Sequence, residues 1–285
     1  MTLIAGEGGS NKLSTGTIGL RDVLPYERMK EIAASKSEEY ATARPYPHIV
    51  IDGFFDDWVL DSVLSEFPSH SDENWERHDF PEEVKLQSKH ERSIPLFTRQ
   101  FLHALNSASF LKFLENLTGT QKLIGDPQFE GGGLHQISPG GKLAIHVDFN
   151  KHSYYGLDRR LNVLVYLNKN WKEQYGGHFE LWNKEMTQME EKIAPLYNRV
   201  VIFSTSSYSY HGHPNPLNCP PGMTRKSLAL YYYTVGNTLR GETRLRHSTL
   251  FQTRPGEHFK LNGRQLARDL TPPILWRMVS RIMGS

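Results

Sequence analysis

From residue 128 onward the chain breaks into short runs rich in β-branched and aromatic residues, and these constrain the fold more than any other feature. They read "FEGGGLHQIS", "KLAIHVDFN", "RRLNVLVYLN", "GGHFELWN", "RVVIFST" and "SLALYYYTV", with Gly, Pro, Asn and charged residues between them. Runs of this length bounded by turn formers read as strands. Six of them at short, irregular intervals predict a sandwich or barrel. No fixed-period repeat is visible along the chain.

The sequence before residue 128 has a different character. "RDVLPYERMKEIAASKSEEY" is rich in helix formers, and "RPYPHIVIDGFF" then turns through prolines into a β-branched run, so helix, turn and strand are expected in that order. Asp56 or Asp57 can cap a helix through "WVLDSVLSEF". One further helix is expected over "LFTRQFLHALNSASFLKFLENLTG", where Phe101, Leu105, Leu111 and Leu114 recur at near-helical spacing and Gly119 stops it. The expected organisation is a flexible, Gly/Ser/Thr-rich segment over 1–20, a helix-and-strand lead-in over 21–127, a β core over 128–240 and a helical extension over 241–285. The class is therefore mainly β with flanking helices. The tail "LTPPILWRMVSRI" offers an apolar face among arginines that could dock a partner or a membrane surface, although packing on its own domain is the simpler expectation.

Composition narrows the function. With 33 Lys+Arg against 31 Asp+Glu, general electrostatic attraction to nucleic acid is not expected. The single cysteine, Cys219, rules out an internal disulfide framework and fits a reducing cytoplasm. No segment approaches the ~18 consecutive apolar residues of a membrane span, and "MTLIAGEGGSNKLSTGTIG" lacks the features of a secretory signal, so a cytoplasmic location is expected.

The candidate chemistry lies in "AIHVDFN". Side chains alternate along a strand, so His146 and Asp148 share one face while Ile145, Val147 and Phe149 share the other. A lone His-x-Asp is most simply the wetted face of a strand. A mononuclear iron site, however, needs two imidazoles and one carboxylate on one side of the metal. The missing imidazole can come from "SYSYHGHPNPL", after the apolar strand "RVVIFST", as His211 or His213. Then "RKSLALYYY" places Arg225, Ser227, Ala229 and Tyr231 on one strand face. Arg225 can grip a carboxylate through a bidentate pair that its neighbour Lys226, on the opposite face, cannot copy.

Taken in order, "HVD", "RRLNVLVYLNKNWKEQYGGHFELW", "NRVVIF", "YHGHP" and "RKSLALYYY" resemble the Fe(II)- and 2-oxoglutarate-dependent oxygenases, specifically their prolyl-hydroxylase-like branch. The resemblance covers roughly residues 128–236, with the lead-in from Pro47 weakly consistent. It implies a double-stranded β-helix, or jelly roll, with the metal in its mouth. It implies Fe(II) on His146, Asp148 and His211, the last favoured over His213 because the family's distal histidine follows the buried strand after a short turn. The loop from there to Arg225 is longer here than in many relatives. It further implies 2-oxoglutarate as co-substrate, its distal carboxylate on Arg225 with Tyr166 as hydroxyl partner and Ser227 beside them, O2 as oxidant and ascorbate as a possible reductant. Related halogenating enzymes carry a small residue at the acidic position; Asp148 fills it here, so the implied reaction is hydroxylation of an unactivated C–H bond with release of succinate and CO2. The substrate would be a peptide or small molecule, and the oligomeric state is left open. An alternative is a cupin-like barrel holding another divalent ion as a binding module, which would have no need of Arg225.

Other features admit two readings. "SYYGLDRR" is either a lid, with Tyr154, Tyr155, Arg159 and Arg160 pointing inward, or a solvated hairpin. Tyr231, Tyr232 and Tyr233 must alternate between faces, which favours core packing over an aromatic cofactor box. Gly176 and Gly177 fit a tight turn into the next strand better than a phosphate loop, and His135 and His152 are expected at the surface or behind the site.

Overall fold

The computed structural model describes residues 23–236 and 246–257. The Gly/Ser/Thr-rich start and the helix expected in the tail lie outside the described residues. The helices are α1 (Tyr26–Thr42), α2 (Asp57–Ser65), α3 (Leu96–Leu105) and α4 (Ala108–Thr118). The strands are β1 (His48–Asp52), β2 (Trp75–Phe80), β3 (Glu83–Ser88), β4 (Ile124–Gly125), β5 (Gly133–Ile137), β6 (Lys142–Val147), β7 (Asp158–Tyr166), β8 (Phe179–Trp182), β9 (Met189–Ile193), β10 (Arg199–Ser204), β11 (His211–His213), β12 (Arg225–Thr234) and β13 (Leu250–Phe251).

All six expected strands form, as β5, β6, β7, β8, β10 and β12. Pairing runs β1-β10-β7-β12-β5-β3-β6-β11-β8-β9, antiparallel throughout, with β2 joined to β3, β4 to β12 and β13 to β6. The sheet curls into a nearly closed barrel, the double-stranded β-helix. Period two divides each central strand between two environments. Leu161, Val163 and Val165 of β7, Val200 and Ile202 of β10, and Leu228, Leu230 and Tyr232 of β12 face outward, into a core shared with the helices. The alternate residues Tyr166, Val201 and Phe203 pack inside the barrel against Phe179, Leu181 and Ile193.

The helical layer covers the outward face. Phe54, Phe101, Phe110 and Phe113 are buried there, each worth about 1.5–3 kcal/mol of burial. Sequence periodicity through this layer predicted one helix from Leu96 to Gly119, and the structure corrects it to two. Ser107 is the reason: its hydroxyl accepts the Phe110 amide at 3.5 Å and caps α4. Gly119 does end α4, in the left-handed region at φ 72°. The part of the expected helical extension that is described, 246–257, forms no helix and contributes β13.

Candidate active site

β6 and β11 bring the histidines together. They pair antiparallel with His211 directly opposite His146, and the ring centroids lie 4.5 Å apart. Asp148 sits just past the end of β6, its Oδ1 3.5 Å from His146 Nε2 and its Oδ2 3.3 Å from His211 Nε2. One donor atom from each of the three lies within 4.8 Å of the others. The Nδ1–H groups are engaged elsewhere, donating to the carbonyls of Ala144 (2.9 Å, from His146) and Ser209 (2.8 Å, from His211). Both Nε2 lone pairs are thereby aimed at the gap. His213 is not part of this cluster.

The carboxylate of Asp148 is itself held. Its Oδ2 accepts from Asn162 Nδ2 at 2.7 Å and pairs with Arg159 at 3.1 Å. Arg159 is fully buried, donates to Asn162 Oδ1 at 2.8 Å and stacks over the Tyr231 ring at 3.4 Å. Burial pushes the Asp148 carboxyl up, but Arg159, His211 and His146 outweigh it and hold it well below the usual carboxylate range. Burial pushes His211 down, so its imidazole is neutral and able to bind a cation.

A second polar centre lies in the same cavity, whose volume is about 290 Å³. Arg225 is buried on the inner face of β12, as the alternation predicted, with Lys226 on the other face. Its Nε donates to the Gly177 carbonyl at 2.8 Å and a terminal nitrogen to Tyr166 Oη at 3.3 Å. Ser227 is the registered partner of Tyr166 across β12 and β7 and also lines the cavity. Among the described residues no carboxylate pairs with Arg225, and burial lowers its pKa. The Gly176–Gly177 turn makes room for it: a Cβ on Gly177 would lie 2.5 Å from Leu217 Cδ2 and 3.0 Å from Arg225 Cδ.

The other expectations divide. Of the "SYYGLDRR" residues Arg159 points inward, Arg160 bonds Thr234 and Asp158, and Tyr154 (77% exposed) and Tyr155 (48%) face solvent. Tyr232 packs in the helical core, whereas Tyr231 lines the cavity. His135 lines the cavity too, pushed down to about 3 by burial and by Lys85. His152, expected at the surface or behind the site, is fully buried between Asp126 and Glu130 and outside the cavity. Sequence reasoning overlooked Asn162, whose signal is a lone amide inside the apolar run "LNVLVY". It also overlooked the β2–β3 hairpin, which supplies Glu76, His78, Glu83 and Lys85 to the cavity wall, and Phe251 of β13, opposite His146.

This arrangement can be set beside known proteins. Residues 132–233 match the family model described as the 2OG-Fe(II) oxygenase superfamily. Over that stretch the barrel core is similar to the superfamily. Among solved structures, the fold resembles a prolyl hydroxylase from Trichoplax adhaerens in complex with a hypoxia inducible factor peptide fragment, at 16% identity over 73% of this chain and 91% of that one, TM-score 0.54. It also resembles a prolyl 4-hydroxylase from Phytophthora capsici, at 21% identity over 77% of this chain and 70% of that one, TM-score 0.50. No curated protein matches the sequence. The superfamily uses Fe(II) and 2-oxoglutarate, and the residues present fit both: two imidazoles and a carboxylate converge for the metal, and a buried guanidinium that pairs with no carboxylate among the described residues faces the same cavity. Among the described residues no helix is long and apolar enough to cross a membrane.

Proposed function

We propose that this chain is a 2-oxoglutarate-dependent dioxygenase that hydroxylates an unactivated C–H bond, with 128–240 as the catalytic core and 21–127 as its support. His146, Asp148 and His211 hold Fe(II), and Arg225, Tyr166 and Ser227 receive the distal carboxylate of 2-oxoglutarate. One juxtaposition supports this reading above all others: the buried guanidinium of Arg225, which pairs with no carboxylate among the described residues, lies in the same cavity as the His-Asp-His cluster. Burying a charge without a partner is costly, and a metal-binding barrel with no anionic co-substrate has no use for it.

When bound, Fe(II) and 2-oxoglutarate supply the activation of O2 that is coupled to decarboxylation, giving succinate and CO2. The chain's own part is positioning. Asn162 and Arg159 hold the Asp148 carboxylate in the orientation in which it would serve as the metal's acidic ligand. Arg225 and Tyr166 fix the co-substrate's far end, and Phe179, Phe203 and Phe251 line the cavity with apolar surface that excludes water. The β2–β3 hairpin adds ionisable groups to the cavity wall, and the substrate class proposed is a prolyl or amino-acid-like group of a peptide, or a polar small metabolite. Succinate release across such compounds, with mass spectrometry for a gain of one oxygen, tests the activity. His146→Ala, Asp148→Ala or His211→Ala is expected to abolish Fe(II) binding, whereas His213→Ala retains it; unchanged iron affinity in the first three would sink the assignment.

A further inference from the structure

His213 has no place in the machinery described so far, yet it is 3% exposed and neither ring nitrogen has a hydrogen-bond partner among the described residues. A buried imidazole left unsatisfied costs stability, so such a group calls for a ligand. The pairing of β11 with β6 shifts between the two histidines, from His211 opposite His146 to His213 opposite Leu143. This irregularity keeps His213 out of the metal cluster while leaving it on the wall of the same cavity. The adjoining pocket is lined by both His213 and Gly177, whose carbonyl anchors Arg225. His213 thus stands at the Arg225 end of the cavity. The charges that act on it are the cations Arg225 and Lys85, with Glu83 and His146 also near. An imidazole carries at least one N–H in either protonation state, and here it is placed to donate that hydrogen to an anion.

We propose that His213 is a further co-substrate-binding residue, donating its N–H to the distal carboxylate of 2-oxoglutarate beside Arg225 and Tyr166; the inference rests on the assignment of Arg225 above.

The test uses the full chain loaded with Fe(II) under anaerobic conditions. 2-Oxoglutarate and 2-oxobutyrate, which lacks the distal carboxylate, are titrated into wild type, His213→Leu, His213→Gln and Arg225→Ala. His213→Leu is expected to raise the Kd for 2-oxoglutarate about ten- to a hundredfold. His213→Gln, which keeps a donor, recovers most of the loss, and neither variant changes the affinity for Fe(II) or for 2-oxobutyrate. Wild-type affinity for 2-oxoglutarate in His213→Leu alongside weak binding in Arg225→Ala overturns the role of His213 alone. Wild-type affinity in Arg225→Ala overturns the underlying assignment. An equal loss for both keto acids in His213→Leu, or no recovery in a folded His213→Gln, marks the residue as structural and also overturns the proposal.

Discussion

Asp148 is the residue on which most of the site's electrostatics converge. Two imidazoles, one amide and one guanidinium meet its two oxygens within 3.5 Å. Without Asn162 the carboxylate can rotate, and Arg159 loses the acceptor of its Nε–H. Partners of this kind behind a metal ligand are commonly worth about 10–100-fold in metal affinity. Asn162→Ala is accordingly expected to weaken Fe(II) binding by about that factor, against complete loss in Asp148→Ala. Anaerobic metal titration checks it, and wild-type affinity in Asn162→Ala would remove the amide from the site. The faces of His146 and Arg225 could be read from sequence because strand alternation decides them, and Asp148, one residue past the end of β6, keeps to the side that alternation assigns it. The Arg159–Asp148 pair could not, because the loop between them carries no period from which to infer a contact.

At the scale of elements, the short strand β11 determines the geometry of the cluster. Its sequence "HGH" is too short to show alternation and lies among turn formers, so it reads as a turn; hydrogen bonds to β6 and β8 on either side make it a strand. Gly212 permits that approach. A Cβ there would lie 2.7 Å from the Ala144 carbonyl oxygen and 2.8 Å from that of Leu143, both backbone atoms that cannot swing aside. Gly212→Ala is therefore expected to push β11 off β6 and separate His211 from His146. Iron affinity should fall by an order of magnitude or more, with an overpacking cost of about 1–3 kcal/mol in stability. Metal titration and thermal melting of the same sample read both effects; an unchanged metal affinity would show that the strand pair tolerates the spacing. The α3–α4 break escaped sequence reading for a related reason. Apolar residues continue at near-helical spacing across residues 96–119, and only the capping geometry of Ser107 separates one helix from two. Ser107→Ala is expected to cost about 1 kcal/mol, measurable by denaturant titration, and no loss would mean that the break is held by packing alone.

Across the whole molecule, the outward strand faces and the helices carry stability while the inward faces carry the site, and the two can be separated experimentally. Arg225 is a buried cation that pairs with no carboxylate among the described residues. Replacing it by Met removes a desolvation cost of several kcal/mol per ion. The same change leaves the Gly177 carbonyl and the Tyr166 hydroxyl without their donor, at about 1–3 kcal/mol each. These terms are of similar size and opposite sign, so the ligand-free Tm of Arg225→Met is expected to stay within a few degrees of wild type. In Phe110→Ala, deep in the helical core, nothing offsets the cavity, and a loss of about 3–5 kcal/mol lowers Tm by roughly 2–4 °C per kcal/mol in a domain of this size. The two variants separate again, now by response, when 2-oxoglutarate is added to metal-loaded protein. At a ligand concentration a hundred times Kd, binding stabilises the folded state by about 2.7 kcal/mol, so wild type and Phe110→Ala should both rise by several degrees while Arg225→Met does not move. Calorimetric melts of the three proteins with and without 2-oxoglutarate decide it. A full rise in Arg225→Met would mean that the co-substrate is held elsewhere, and a ligand-free Tm as low as that of Phe110→Ala would mean that the guanidinium is part of the barrel's packing.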